Sequence, residues 1–95
     1  MIKHLVLAKF KQNVTKEQIA ELLKSTAALP SIIPEIKRYD FGQDMRPGRT
    51  FDFALVSEFS DVEALERYKI QKDHAETARY IRSLSEDIRI VDFEF

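Results

Sequence analysis

Apolar and polar residues alternate over residues 2–11. His4, Val6, Ala8 and Phe10 share one face, and Lys3, Leu5, Leu7 and Lys9 share the other. A period of two predicts a strand. Both faces are apolar at the centre, so this strand is expected to be covered on both sides. Asn13 marks a turn. The period then changes to 3.6: Ile19, Leu22, Leu23, Thr26, Ala27 and Leu29 follow one helical stripe. Thr15 and Gln18 form a capping box at its start, with Val14 and Ile19 at the staple positions. Pro30 and Pro34 are expected to bracket a short turn after the helix.

Residues 35–43 read as a second strand, with Lys37, Tyr39 and Phe41 alternating with Ile36, Arg38 and Asp40. A loop follows, turning at Pro47-Gly48. Residues 51–59 form a third strand: Phe51, Phe53, Leu55 and Phe59 alternate with Asp52, Ala54, Val56 and Glu58. Ser60 and Glu63 suggest a capping box for a second helix carrying Val62, Leu65 and Tyr68. A pause is expected near Gln71. Asp73 is then a fresh N-cap with Glu76 three residues on, and His74, Ala78, Ile81 and Ser85 carry a helix to about residue 86. Residues 88–94 form the last strand, with Ile88 and Ile90 against Arg89, Val91 and Phe93.

The order strand, helix, strand, strand, helix pair, strand is the split βαβ, ferredoxin-like α+β arrangement with a four-stranded antiparallel sheet. Its helices cover one sheet face. Here the other face is also partly apolar, which asks for a partner sheet and predicts a two-fold homodimer.

Composition narrows the chemistry. The 95 residues are read as one domain, 1–95, without cysteine, so disulfides and thiolate ligands are excluded. Net charge is −1, which gives no support to nucleic-acid binding. An RNA-reading sheet is further disfavoured by Asp52 and Glu58 on the aromatic strand. Apolar runs are too short for a membrane span or a secretory signal, so a cytoplasmic protein is expected. With two glycines, Gly42 and Gly48, neither phosphate-binding glycine motif can be written. No metal motif is present, and no cofactor is implied.

The remaining candidates are His4 and His74, the two histidines, and Tyr68. Histidine is the natural acid or base near neutral pH. Each also has a plain structural reading: His4 as a locally bonded strand histidine, His74 as a capping or packing residue. Tyr68 lies six positions before His74, about 120° off the same face in a straight helix. A kink near Lys72-Asp73 would let the two side chains converge.

Three stretches carry a family resemblance: His4 through Lys11; Phe41-Gly42-Gln43-Asp44 with Phe51 through Phe59; and Ala64 through His74. Together they resemble the stress-responsive alpha/beta-barrel domain family, the dimeric alpha-beta barrel proteins, over essentially the whole chain. The resemblance implies a ferredoxin-like fold, a dimer joined through the sheets, and a pocket between sheet and helices. Most family members have no defined activity, and one plant branch cyclises linear polyketides. Residue by residue, the cyclase's catalytic tyrosine and histidine match Tyr68 and His74, and its strand-one histidine matches His4. Gln71 stands where that cyclase has a second histidine, and Ser85 where it has a pocket tryptophan.

The resulting expectation is a pocket for a small apolar or aromatic ligand. His4, Leu22, Leu23, Thr26 and Gln71 are its binding residues, with His74 and Tyr68 as the working pair if a reaction occurs. The alternative is a cofactor-free acid–base enzyme such as a polyketide cyclase. Fold analogy alone adds cofactor-free monooxygenases.

Overall fold

The computed structural model describes all 95 residues, Met1–Phe95. The elements are β1 (Ile2–Phe10), α1 (Lys16–Ile32), β2 (Arg38–Gln43), β3 (Phe53–Phe59), α2 (Val62–Ile70), α3 (Lys72–Leu84) and β4 (Ser85–Glu94). They build the expected ferredoxin-like α+β fold. The four strands lie in the order β2-β3-β1-β4, and every pairing is antiparallel. Central β1 pairs His4 with Ser57 of β3 and with Asp92 of β4. No helix is long and apolar enough to cross a membrane.

The buried faces follow the alternation in the sequence. His4, Val6, Ala8 and Phe10 of β1 and Phe53, Leu55, Ser57 and Phe59 of β3 are buried under the helices. Two apolar clusters result. One packs Ile2 and Phe59 against Leu29, Ile33, Leu65 and Tyr68. The other packs Val6, Ala8, Phe10, Phe53 and Leu55 against Leu22 and Leu84. The opposite face is less covered than the two-sided pattern of β1 suggests: Leu7, Val91 and Phe93 stay exposed in the single chain.

Several boundaries differ from the sequence reading. Helix α1 runs through Pro30 to Ile32, so the two prolines do not bracket a turn. In the last turn a proline removes a single helical bond. Buried Leu29 and Ile33 tie that turn to the core, and the Ile33 amide donates to the Leu29 carbonyl at 2.9 Å. Pro34 is the true stop, since it forces Ile33 into an extended conformation (φ −113°, ψ 103°). Strand β2 begins at Arg38 rather than residue 35, and β3 begins at Phe53 rather than Phe51. Asp52 is spent on a corner instead: its carboxylate accepts from the Phe10 amide at 2.8 Å.

The caps shift too. Asp61, not Ser60, caps α2, accepting from the Ala64 amide at 2.8 Å. The buried stripe of that helix is accordingly Ala64, Leu65 and Tyr68, and Val62 faces solvent. Gln71, not Asp73, caps α3, accepting from the His74 amide at 2.9 Å. Helix α3 ends at Leu84, which is buried where Ser85 was expected to continue the stripe. Strand β4 therefore starts at Ser85, three residues earlier than its apolar pattern suggests. The capping box of Thr15 and Gln18 is present as read.

Candidate functional site

Between the helix-facing side of the sheet and helices α1 and α3 lies a cavity of about 540 Å³. That size suits a small organic molecule. Val6, Leu22, Phe53, Leu55, Ile81 and Ile88 supply much of its wall. Its polar groups are few: His4, Thr26, Tyr39, Tyr68, Lys69, His74, Thr77 and Arg82. No carboxylate lines it.

The break at Gln71 creates the centre of this site. Gln71 has an extended backbone (φ −65°, ψ 137°), ending α2 and capping α3 at once. The chain turns there, and the 120° mismatch expected of a straight helix disappears. Tyr68 and His74 stack with ring centroids 4.0 Å apart. Phe59 backs the Tyr68 ring at 4.7 Å, and Tyr68 is wholly buried.

The hydrogen bonds fix how each histidine presents itself. His74 Nδ1 lies 3.1 Å from the Lys69 carbonyl oxygen. A carbonyl can only accept, so Nδ1 carries the proton and Nε2 is left as the basic atom. Burial pushes the His74 imidazole below its ordinary value. The bond to Lys69 opposes that shift, and the charges of His4, Arg82 and Lys69 reinforce it. A neutral base facing an apolar cavity is the result.

His4 is buried and points toward the same cavity from β1. Its Nδ1 bonds the carboxylate of Asp92, its cross-strand partner on β4, and Lys69 Nζ reaches the same carboxylate at 3.4 Å. Partial burial works to raise the Asp92 carboxyl, but the His4 bond and the His4 and Lys69 charges outweigh it and hold it below the usual range. Asp92 thus fixes the His4 ring and ties the edge strand to α2. The His4 ring lies edge-on to Tyr68 at 6.0 Å.

A second phenol meets Tyr68. Tyr39 on β2 lies with its hydroxyl oxygen 2.7 Å from that of Tyr68. Burial is the main cause lifting both phenols, Tyr39 to about 12 despite its bond to Tyr68, and Tyr68 further, with the Tyr39 charge and bond adding to it. Both are neutral hydroxyl donors over the physiological range.

The structure therefore gathers His4, Leu22, Thr26, Tyr68 and His74 around one cavity. Thr26 contributes no free donor, since its hydroxyl donates back to the Leu22 carbonyl at 2.7 Å. Leu23 packs into the second apolar cluster rather than lining the cavity. Gln71 sits at the helix junction, its side chain engaged with the His74 amide and with Asp73. Ser85 likewise turns back, its hydroxyl donating to the Ile81 carbonyl at 2.7 Å. Tyr39, Asp92 and Arg82 were not singled out from sequence. Tyr39 had a visible signal in its alternation with Arg38. Asp92 needed the strand register, and Arg82 needed the direction of α3.

The profile of the stress-responsive A/B barrel domain matches residues 2–95. The chain belongs to the stress-responsive A/B barrel domain family. Within the A/B barrel family, a stress-response A/B barrel domain-containing protein, HS1, of Arabidopsis thaliana is 31% identical over 98 residues, covering 98% of this chain and 88% of the relative. Olivetolic acid cyclase of Cannabis sativa is 30% identical over 95 residues, covering 97% of this chain and 94% of the cyclase. Among solved structures, a dimeric ferredoxin-like protein of unknown function from Thermobifida fusca superposes with a TM-score of 0.89 at 29% identity, covering 99% of this chain and 90% of its own. This A/B barrel thus has both a named enzyme and proteins without an assigned activity among its relatives.

Proposed function

We propose that this A/B barrel protein is a two-fold dimer that takes a small apolar or aromatic ligand into the cavity between sheet and helices. The cavity's largely apolar wall, with the rings of His4, Tyr39, Tyr68 and His74 in it, supports that reading. The dimer rests on the exposed apolar residues of the outer sheet face and on relatives described as dimeric.

One observation favours a reaction on that ligand. His74 is held as a neutral base, with Nδ1 committed to the Lys69 carbonyl and Nε2 left bare beside Tyr68. In this second reading His74 takes a proton from carbon alpha to a carbonyl, and the phenols of the site stabilise the oxygen that gains charge. The enolate carbon attacks a second carbonyl of the same ligand, forming a carbon–carbon bond. The new alkoxide takes back the proton from the His74 imidazolium. Atoms balance without a cofactor, and the cavity holds the ligand folded for the attack. Olivetolic acid cyclase, a relative named as a cyclase, is consistent with this chemistry.

The test is a panel of linear poly-keto thioesters and small phenols. Cyclised product that forms with the wild type and disappears in His74→Ala, while the variant stays folded, supports the reaction. Binding seen by calorimetry without turnover leaves the ligand-binding reading alone. No binding of any panel member rejects both.

A further inference from the structure

Tyr68 and Tyr39 divide the work of a hydrogen-bond donor in a way the sequence does not suggest. Their two hydroxyls share one hydrogen bond of 2.7 Å, so one of the two protons is used between them and the other remains for a ligand. Tyr68 has no accessible surface at all, packed between Phe59 and the His74 ring. Tyr39 lines the same cavity and is only partly buried. Both phenols line the cavity, and Tyr39 is the one of the two that keeps accessible surface.

From this accessibility and hydrogen bonding, we propose that Tyr39 is the ligand-facing donor. Tyr68 acts behind it as a positioning residue that donates to the Tyr39 oxygen. The site so formed selects ligands carrying an enolic or phenolic oxygen that bears negative charge when bound. The inference rests on the cavity being the ligand site and deepens that reading by naming the oxygen it recognises. A phenol that already accepts a hydrogen bond is a stronger donor, because each bond in a chain polarises the next. The relative acidity of the pair agrees: Tyr39 is raised to about 12, and Tyr68 beyond it. The setting adds to the preference. His4, Lys69, His74 and Arg82 line the cavity and no carboxylate does; the nearest anion, Asp92, stands behind the wall, paired with His4 and Lys69.

The probe is 4-nitrophenol, whose phenolate has its own visible band, with its methyl ether 4-nitroanisole as a neutral analogue that cannot ionise. Binding to the wild type should raise the phenolate fraction of 4-nitrophenol at a pH below the probe's own pKa. Tyr39→Phe should weaken phenolate binding by about tenfold or more, the effect of losing a hydrogen bond to a charged acceptor. Its affinity for 4-nitroanisole, whose ether oxygen is a weak neutral acceptor, should fall by a much smaller factor, which also shows that the cavity is intact. Tyr68→Phe should have a smaller effect, and adding it to Tyr39→Phe should change phenolate binding little further. A Tyr68→Phe loss equal to or larger than that of Tyr39→Phe would overturn the assignment. So would phenolate binding that neither variant changes. If neither probe binds the wild type, the cavity reading itself fails and takes this inference with it.

Discussion

At the scale of single residues, the site is defined by which nitrogen of each histidine is already engaged. His74 spends Nδ1 on the Lys69 carbonyl, and His4 spends Nδ1 on Asp92. The His74 pKa is lowered from 6.5, mainly by burial. A base with a lowered pKa stays unprotonated further into acid, so the acid limb of any His74-dependent activity should fall below pH 6.5. An NMR titration of the His74 ring that places its midpoint at or above that value would contradict this. Stability follows the same sign. The contribution from neutral His74 is fully present above the unfolded value and is lost as pH falls through the lower folded one. Asp92 adds a second acid-sensitive contribution. Its carboxyl is held below its ordinary value of 3.8, so that contribution is present above 3.8 and lost as pH falls below it. Asp92→Asn keeps the shape but removes the anion that His4 and Lys69 share. It should destabilise the fold by about 1–2 kcal/mol, toward the low end of the roughly 1.5–3 kcal/mol of a hydrogen bond to a charged group because the carboxylate is partly exposed to water. Urea denaturation at neutral pH checks this, and an unchanged midpoint would show that Asp92 does not anchor the edge strand.

At the scale of elements, the junction between α2 and α3 decides whether a site exists. Without the extended residue at Gln71, Tyr68 and His74 would lie on different faces of one helix. The pause was legible, because the apolar stripe loses phase there. The residue that makes it was not, because Asp73 offers a better cap by type while Gln71 holds the cap by position. Where a local rule had one candidate, as at Thr15 and Gln18, the element began where the sequence indicated. At α2 the cap fell one residue later than the Ser60 read from sequence, on Asp61, whose carboxylate accepts from the Ala64 amide. The start of β4 was hidden for a related reason: Ser85 falls on the helical spacing of His74, Ala78 and Ile81, yet Phe10 of β1 pairs with Ser85 and Lys9 with Asp87 across a bulge. Gln71→Ala should remove one helix cap and lower stability by about 1 kcal/mol. It should also loosen the 4.0 Å stacking of Tyr68 on His74. Broadened His74 ring resonances, at a temperature where far-UV circular dichroism is unchanged, would separate this local effect from unfolding. Ring resonances identical to wild type would mean that the backbone holds the junction without its side-chain cap.

At the scale of the whole molecule, the fold was legible from alternation and the order of elements, and the partly apolar outer face already asked for a partner sheet; which residues form the patch needed the strand register. The helices bury one side of the sheet. On the other side, Leu5 of β1 pairs with Val91 of β4, and Leu7 pairs with Ala54 of β3. Leu7, Val91 and Phe93 remain 40%, 58% and 43% exposed. Isolated exposed apolar residues are ordinary, whereas neighbours on paired strands form a patch that favours a partner. Lys3 and Lys9 stand at the ends of the β1 row and form ion pairs with Glu58 and Glu86 of adjacent strands, which leaves the middle apolar. A second copy related by a two-fold axis would set the same apolar middle against itself. The wild-type protein should therefore scatter light as a dimer at micromolar concentration. Val91→Asp places a charge in the middle of that face without touching the cavity, whose β4 residues are Ile88 and Ile90 on the other side. Burying such a charge without a partner is costly, and the dissociation constant should rise by about a hundredfold. A monomeric wild type would reject the dimer, and an equally tight Val91→Asp dimer would place the seam elsewhere. Ligand binding measured on the Val91→Asp monomer then tells whether one chain suffices for the cavity. The cavity lies on the helix side of the sheet, away from that outer face, so the monomer should retain most of its affinity for an apolar probe such as 4-nitroanisole.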